Sequence, residues 1–139
     1  MESRSKKVLG IDFGARRIGV AIADLGAPVA VPLEVIDRTT TTALERVLQL
    51  VRDNDVATVV VGHPRMLSGD EGAAVEESRA FAEQLSAAGV DVKEHDERLT
   101  TVMAERGLRD AGVKSARRKE LRDAAAAQII LQSYLDEQR

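Results

Sequence analysis

The chain has 139 residues, 44% of them hydrophobic and 31% charged, with a formal net charge of −3, the size and composition of a single soluble globular domain. It has no cysteine and two histidines, His63 and His95, which excludes disulfides, a thiol nucleophile and cysteine-ligated zinc, and leaves too few imidazoles for a histidine-built zinc site. Aromatic residues make up 2% with no Trp, too few for base-stacking platforms, and the acidic balance excludes a chain coated in basic charge, though not a basic rim around an acidic site.

In chain order, "VLGIDFG" (8–14) and "RIGVAIAD" (17–24) are β-branched runs joined by the short "GARR" connection, which predicts a hairpin. "PVAVPLEVID" (28–37) adds a third strand, and its Pro28 and Pro32 suit an edge better than a centre. Thr42 opens a capping box with Glu45, and Leu44, Val47, Leu48 and Val51 form one helical stripe. "TVVVG" (58–62) is uniformly apolar, as in a strand covered on both faces. A loop rich in turn formers follows, in which Ser68 and Glu71 cap a helix ending near Gly89. The rest reads as a strand from Val90 to His95, a helix over 100–112 and a long final helix. Three strands in a meander followed by α-β-α-β-α predict an α/β fold: a mixed central sheet of about five strands with helices on both faces. The first seven residues read as a frayed tail. No stretch has the apolar run of a leader or of a membrane span, so the sequence predicts a cytoplasmic domain without a membrane partner.

Three acids stand where apolar residues are expected. Asp12 lies inside a strand among Leu9, Ile11, Val20 and Ile22. A buried carboxylate costs several kcal/mol unless it is paired or binds a cation, so Asp12 either bridges to Arg16 or Arg17 or holds a metal. Asp123 extends the apolar stripe Ala127, Ile130, Leu131 and Tyr134 of the last helix, and Ala124–Ala127 let that turn approach the strands closely. The other reading of Asp123 places it past the core edge, favouring the positive helix N-terminus. In "HDERLTT", Asp96 and Glu97 end the last strand, and alternation turns one of them to the site. Carboxylates from a strand centre, a strand end and a packed helix converge around a cation. Hard oxygen ligands without His or Cys select Mg²⁺ or Mn²⁺, and two such ions about 4 Å apart serve in-line attack on a phosphodiester.

"LGIDFGARRIGVAIAD", "VVVGHP" with its "GDEG" loop, "DERLTTVMAE" and "KELRDAAA" running into "IILQSYL" together resemble the YqgF/RuvX family of Holliday-junction resolvases and pre-16S rRNA nucleases, over about Val8 to Leu135. The resemblance implies a ribonuclease H-like fold. It also implies a divalent-metal-dependent endonuclease acting on branched DNA, structured RNA or both, with metal-site acids at Asp12, at Glu97 beside Asp96, and at Asp123. Three departures stand out: "VVVGHP" lacks the strand acid usual in related resolvases, His63 replaces an apolar residue, and Arg122 replaces a β-branched one. Arg16, Arg17, Arg65, Arg98, Arg117, Arg118 and Lys119 form a candidate basic rim, contacting phosphates without reading sequence. A homodimer would suit a two-fold-symmetric junction.

Two rival readings differ in class. "DFGARRIGVAIAD" also resembles the phosphate-binding motif of actin-like ATPases, which need a second, similar domain that 139 residues leave no room for. A ribosome-maturation factor that grips structured RNA without cutting it would explain the missing strand acid, but it gives no reason to keep mutually repelling carboxylates.

Overall fold

The computed structural model describes residues 6–14, 16–39, 42–63, 72–96 and 115–137. The β-branched runs form β1 (Lys7–Phe13), β2 (Arg17–Asp24), β3 (Ala27–Asp37), β4 (Val56–His63) and β5 (Asp91–Asp96). The helices are α1 (Ala43–Asp53), α2 (Gly72–Ala87) and α3 (Ser115–Glu137). The sheet order is β3-β2-β1-β4-β5. The first three strands make an antiparallel meander, and β1, β4 and β5 run parallel. The expected mixed sheet is present, β1 lies at its centre, and the two prolines lie on an edge strand.

Alternation along the strands builds two cores. Leu9, Ile11 and Phe13 of β1 join Ile18, Val20, Ile36, Val59 and Val61 under Val47 and Leu50 of α1 and Phe81, Ala82 and Leu85 of α2. Val8, Ala21, Ala23, Ala30 and Val60 pack instead under Ala127, Ile130, Leu131 and Leu135 of α3. The uniformly apolar β4 therefore feeds both layers, Val59 and Val61 to one face and Val60 to the other. Burying each such side chain contributes about 1.5–3 kcal/mol. Helix α3 sits close to the sheet because β1 and β4 offer it glycines. A Cβ at Gly10 would lie 2.6 Å from Cβ of Leu131, and one at Gly62 would lie 2.5 Å from Cδ1 of Ile130.

The helix ends follow local rules with one correction. Thr42 is the N-cap of α1, but its hydroxyl makes no capping hydrogen bond, so the capping box with Glu45 does not form. Thr42 is exposed, so the first amides of α1 lie within reach of solvent, and Glu45 contributes as an acid in the first turn. Helix α2 ends in a Schellman motif: Val90 N–H donates to Leu85 C=O at 3.1 Å and Gly89 N–H to Ser86 C=O at 3.0 Å, with Gly89 at φ +93°. The expected cap at Ser68 and Glu71 and the helix over 100–112 lie outside the described residues. Among the described residues no helix is long and apolar enough to cross a membrane.

Candidate active site

Asp12 is the penultimate residue of β1. Phe13 belongs to the α1–α2 core, so alternation turns Asp12 to the α3 face, in line with Val8 and Gly10. It is 9% exposed. Its register partners are Gly19 on β2 and Gly62 on β4, so no strand side chain stands beside the carboxylate in its own row. The parallel strands β1, β4 and β5 all end at this edge of the sheet, where open α/β sheets bind their ligands.

The turn after Asp12 is tied down from two sides. Gly14 N–H donates to Arg17 C=O at 3.0 Å, and a Cβ at Gly14 would lie 2.5 Å from that oxygen, so the tight turn requires glycine there. Arg38, the residue after β3, covers the Phe13 ring with its guanidinium carbon 4.4 Å from the centroid. It donates from Nη1 to Gly14 C=O at 2.8 Å and from Nη2 to Glu77 of α2 at 3.1 Å. Phe13 packs in turn on Phe81, with ring centroids 4.9 Å apart. Arg38 was not among the basic candidates read from the sequence. Its role depends on a stacking partner 25 positions away, and no local pattern signals that. Asp37 beside it is held below the usual carboxylate value of 3.8, first by the Thr39 hydroxyl, then by the Thr39 amide, with a smaller contribution from Arg17.

The expected site residues fall as follows. Arg17 opens β2, and Ile18 after it faces the α1–α2 core; Arg17 therefore lies on the Asp12 face, diagonal to Asp12 across Gly19. Arg16 is exposed in the turn. Asp123 lies in α3 one turn before Ala127, whose carbonyl oxygen would lie 3.1 Å from a Cβ at Gly10. The packing of α3 on β1 thus brings together the segments that carry Asp12 and Asp123. Asp96 ends β5 in register with His63 of β4, at the same edge of the sheet. Arg117, Arg118 and Lys119 lie near the start of α3. Glu97, Arg65 and Arg98 lie outside the described residues. His95 shares the row of Asp12 two strands away, and Ile130 packs over the Gly62 between them; His95 instead faces Glu137 of α3, 3.9 Å from Nδ1. A groove of about 660 Å³, lined in part by Phe13, Arg38, Thr42, Glu77 and Phe81, opens on the α1–α2 side, away from Asp12. Among the described residues no three His, Asp or Glu side chains come together.

Comparisons with known proteins bear on the family and the fold. A protein of Streptomyces avermitilis is 44% identical over 142 residues, covering 100% of this chain and 91% of its own. One of Chloroflexus aurantiacus is 44% identical over 134 residues, covering 95% and 88%. Both bear the name "Putative pre-16S rRNA nuclease". Among solved structures, T. thermophilus RuvC in complex with a Holliday junction substrate superposes with a TM-score of 0.55 at 21% identity, covering 95% of this chain and 94% of that one. That likeness shows the ribonuclease H-like resolvase fold. The RuvX family model, described as Holliday junction resolvase, matches residues 6–137, and the chain accordingly belongs to the RuvX family of nucleases.

Proposed function

We propose that the chain is a divalent-metal-dependent endonuclease that hydrolyses phosphodiester bonds in structured nucleic acid, with ribosomal RNA precursor and four-way DNA junctions as its candidate substrates. The observation that carries this reading is Asp12: a buried carboxylate on the central strand, at the carboxyl edge of the sheet, facing the helix that carries Asp123. Its surroundings fit a hard cation, since the neighbouring positions in its row are glycines and the other acids in the proposed set, Asp123 and Glu97 or Asp96, offer oxygen alone. Mg²⁺ or Mn²⁺ held there would supply activation of water and stabilisation of the departing oxygen. The chain's own residues do the positioning. Arg38, Phe13 and the Gly14 turn hold the end of β1, α3 seats on Gly10, and Arg17 lies where it can meet a phosphate. The relatives' names point to ribosomal RNA and the structural neighbour to junction DNA, so the substrate is decided by experiment.

The test is cleavage of a labelled four-way junction and of a labelled pre-16S ribosomal RNA fragment, each with Mg²⁺, Mn²⁺ or EDTA, by wild type and Asp12→Asn. The proposal expects metal-dependent cutting of at least one substrate, reduced about 10²-fold or more in the variant, the scale seen when one preorganised charge-stabilising group is removed. Equal cutting by wild type and variant, or cutting in EDTA, would refute it, and binding without cutting under any metal would turn the reading to a structured-RNA grip.

A further inference from the structure

We infer that Gln128 and Gln132 of α3 close the β3 edge of the sheet to strand addition, so that this chain does not join a second copy of itself there. The need for such a closure is visible in the strand. β3 is an eleven-residue edge strand with Val29, Val31 and Leu33 exposed at 65%, 47% and 37%, and Leu25 in the preceding turn at 48%. A long apolar edge with unpaired amides is a template for pairing with another chain.

The backbone shows how the template is blanked. Ala30 N–H donates to Oε1 of Gln132 at 2.9 Å, and Ala30 C=O accepts from Nε2 of Gln128 at 2.9 Å. Both groups of Ala30 therefore point away from β2, towards the open edge, and both are occupied. The two glutamines are four residues apart, one turn of α3, so they rise on the same side of the helix and meet one residue from opposite directions. Pro28 and Pro32 stand two residues to either side of Ala30, and neither has an N–H to offer. Beyond Pro32 the pairing with β2 shifts register, with Val20 opposite Glu34 and Ala21 opposite Pro32, which bends the edge out of a regular ladder. At Pro28, Ala30 and Pro32 an incoming strand finds no N–H to accept from.

The direction of each bond makes the test specific. Gln132→Glu keeps an acceptor for Ala30 N–H, whereas Gln128→Glu sets an acceptor against the Ala30 carbonyl. Amide hydrogen exchange at Ala30, read by NMR on the full chain, should be about threefold to tenfold faster in Gln132→Ala than in wild type, the factor for one net hydrogen bond. In Gln132→Glu it should stay near the wild-type rate. Sedimentation of Gln128→Ala/Gln132→Ala should show concentration-dependent self-association beyond that of wild type. Adding Pro32→Thr, which restores an N–H, should increase it further. An Ala30 amide that exchanges equally fast in wild type and Gln132→Ala would overturn the inference. So would a triple variant that keeps its fold by thermal melting and sediments as the wild type does.

Discussion

The approach of α3 to the sheet makes a prediction that can be worked from distances. A methyl group added at Gly62 would lie 2.5 Å from Cδ1, 3.2 Å from Cγ1 and 3.3 Å from Cγ2 of Ile130, and Ile130 is fully buried, so the clash cannot be relieved into solvent. Overpacking of this kind costs about 1–3 kcal/mol. Against it stands about 0.5–1 kcal/mol gained by removing a glycine from the unfolded chain. Gly62→Ala should therefore lose about 1–2 kcal/mol, a fall in Tm of roughly 3–8 °C for a chain of this size. Ile130→Val alone should lose about 0.5–1.5 kcal/mol through the cavity it leaves. It also deletes the Cδ1 atom that makes the closest contact, so in that background Gly62→Ala should be nearly neutral. The double-mutant cycle, measured by urea unfolding with the m-value checked for constancy, should give a favourable coupling of about 1 kcal/mol or more. Strict additivity, or a Gly62→Ala variant as stable as wild type, would refute the seating of α3 described above.

Other expectations follow from single contacts. Arg46 meets Glu34 through Nε at 2.7 Å and Nη2 at 2.5 Å, and that bond holds the Glu34 carboxyl below its ordinary 4.5. A depressed folded-state value stabilises above the unfolded value and is lost as pH falls through the folded one. Arg46→Met should thus be less stable than wild type at neutral pH, and urea melts should show the difference disappearing as pH drops below 4.5. At Gly89 an added Cβ meets nothing within 4 Å, so Gly89→Ala should cost only the left-handed backbone, about 1–2 kcal/mol, with Gly89→Asn milder in the same thermal melts. Removing the brace in Arg38→Met, whose apolar stem still covers Phe13, should speed amide exchange around Gly14 while leaving that of β4 unchanged.

Much of this architecture was legible because periodicity is local. The alternating runs at 8–13 and 17–24, the uniformly apolar 58–62 and the prolines at 28 and 32 each carry their own strand or edge signal, and Asp12 stood out because it broke one of them. What the sequence could not show depends on pairing between distant segments. Nothing near Arg38 announces Phe13 and Glu77 as partners, and nothing in "AAAAQIILQ" says that Gln128 and Gln132 meet Ala30 about a hundred residues away. The capping box failed for a related reason: a Thr-x-x-Glu pattern permits the reciprocal bonds, but the exposed start of α1 leaves water able to serve the same amides. The acids at 96, 97 and 123 were legible as candidates by motif and helical phase, and the structure adds the seating of α3 that brings the segment bearing Asp123 to β1.

The most direct test of the central claim, that Asp12 is buried because it holds a cation, is the thermal stability of wild type and Asp12→Asn in EDTA and across a Mn²⁺ titration. The account predicts that Mn²⁺ at 100 times its Kd stabilises the wild type by about 2.7 kcal/mol. It predicts that Asp12→Asn loses most of this response and melts at or above the wild type in EDTA. A wild type indifferent to Mn²⁺, together with an Asp12→Asn variant that melts lower than wild type in EDTA, would contradict the claim and make Asp12 the partner of a cationic side chain instead.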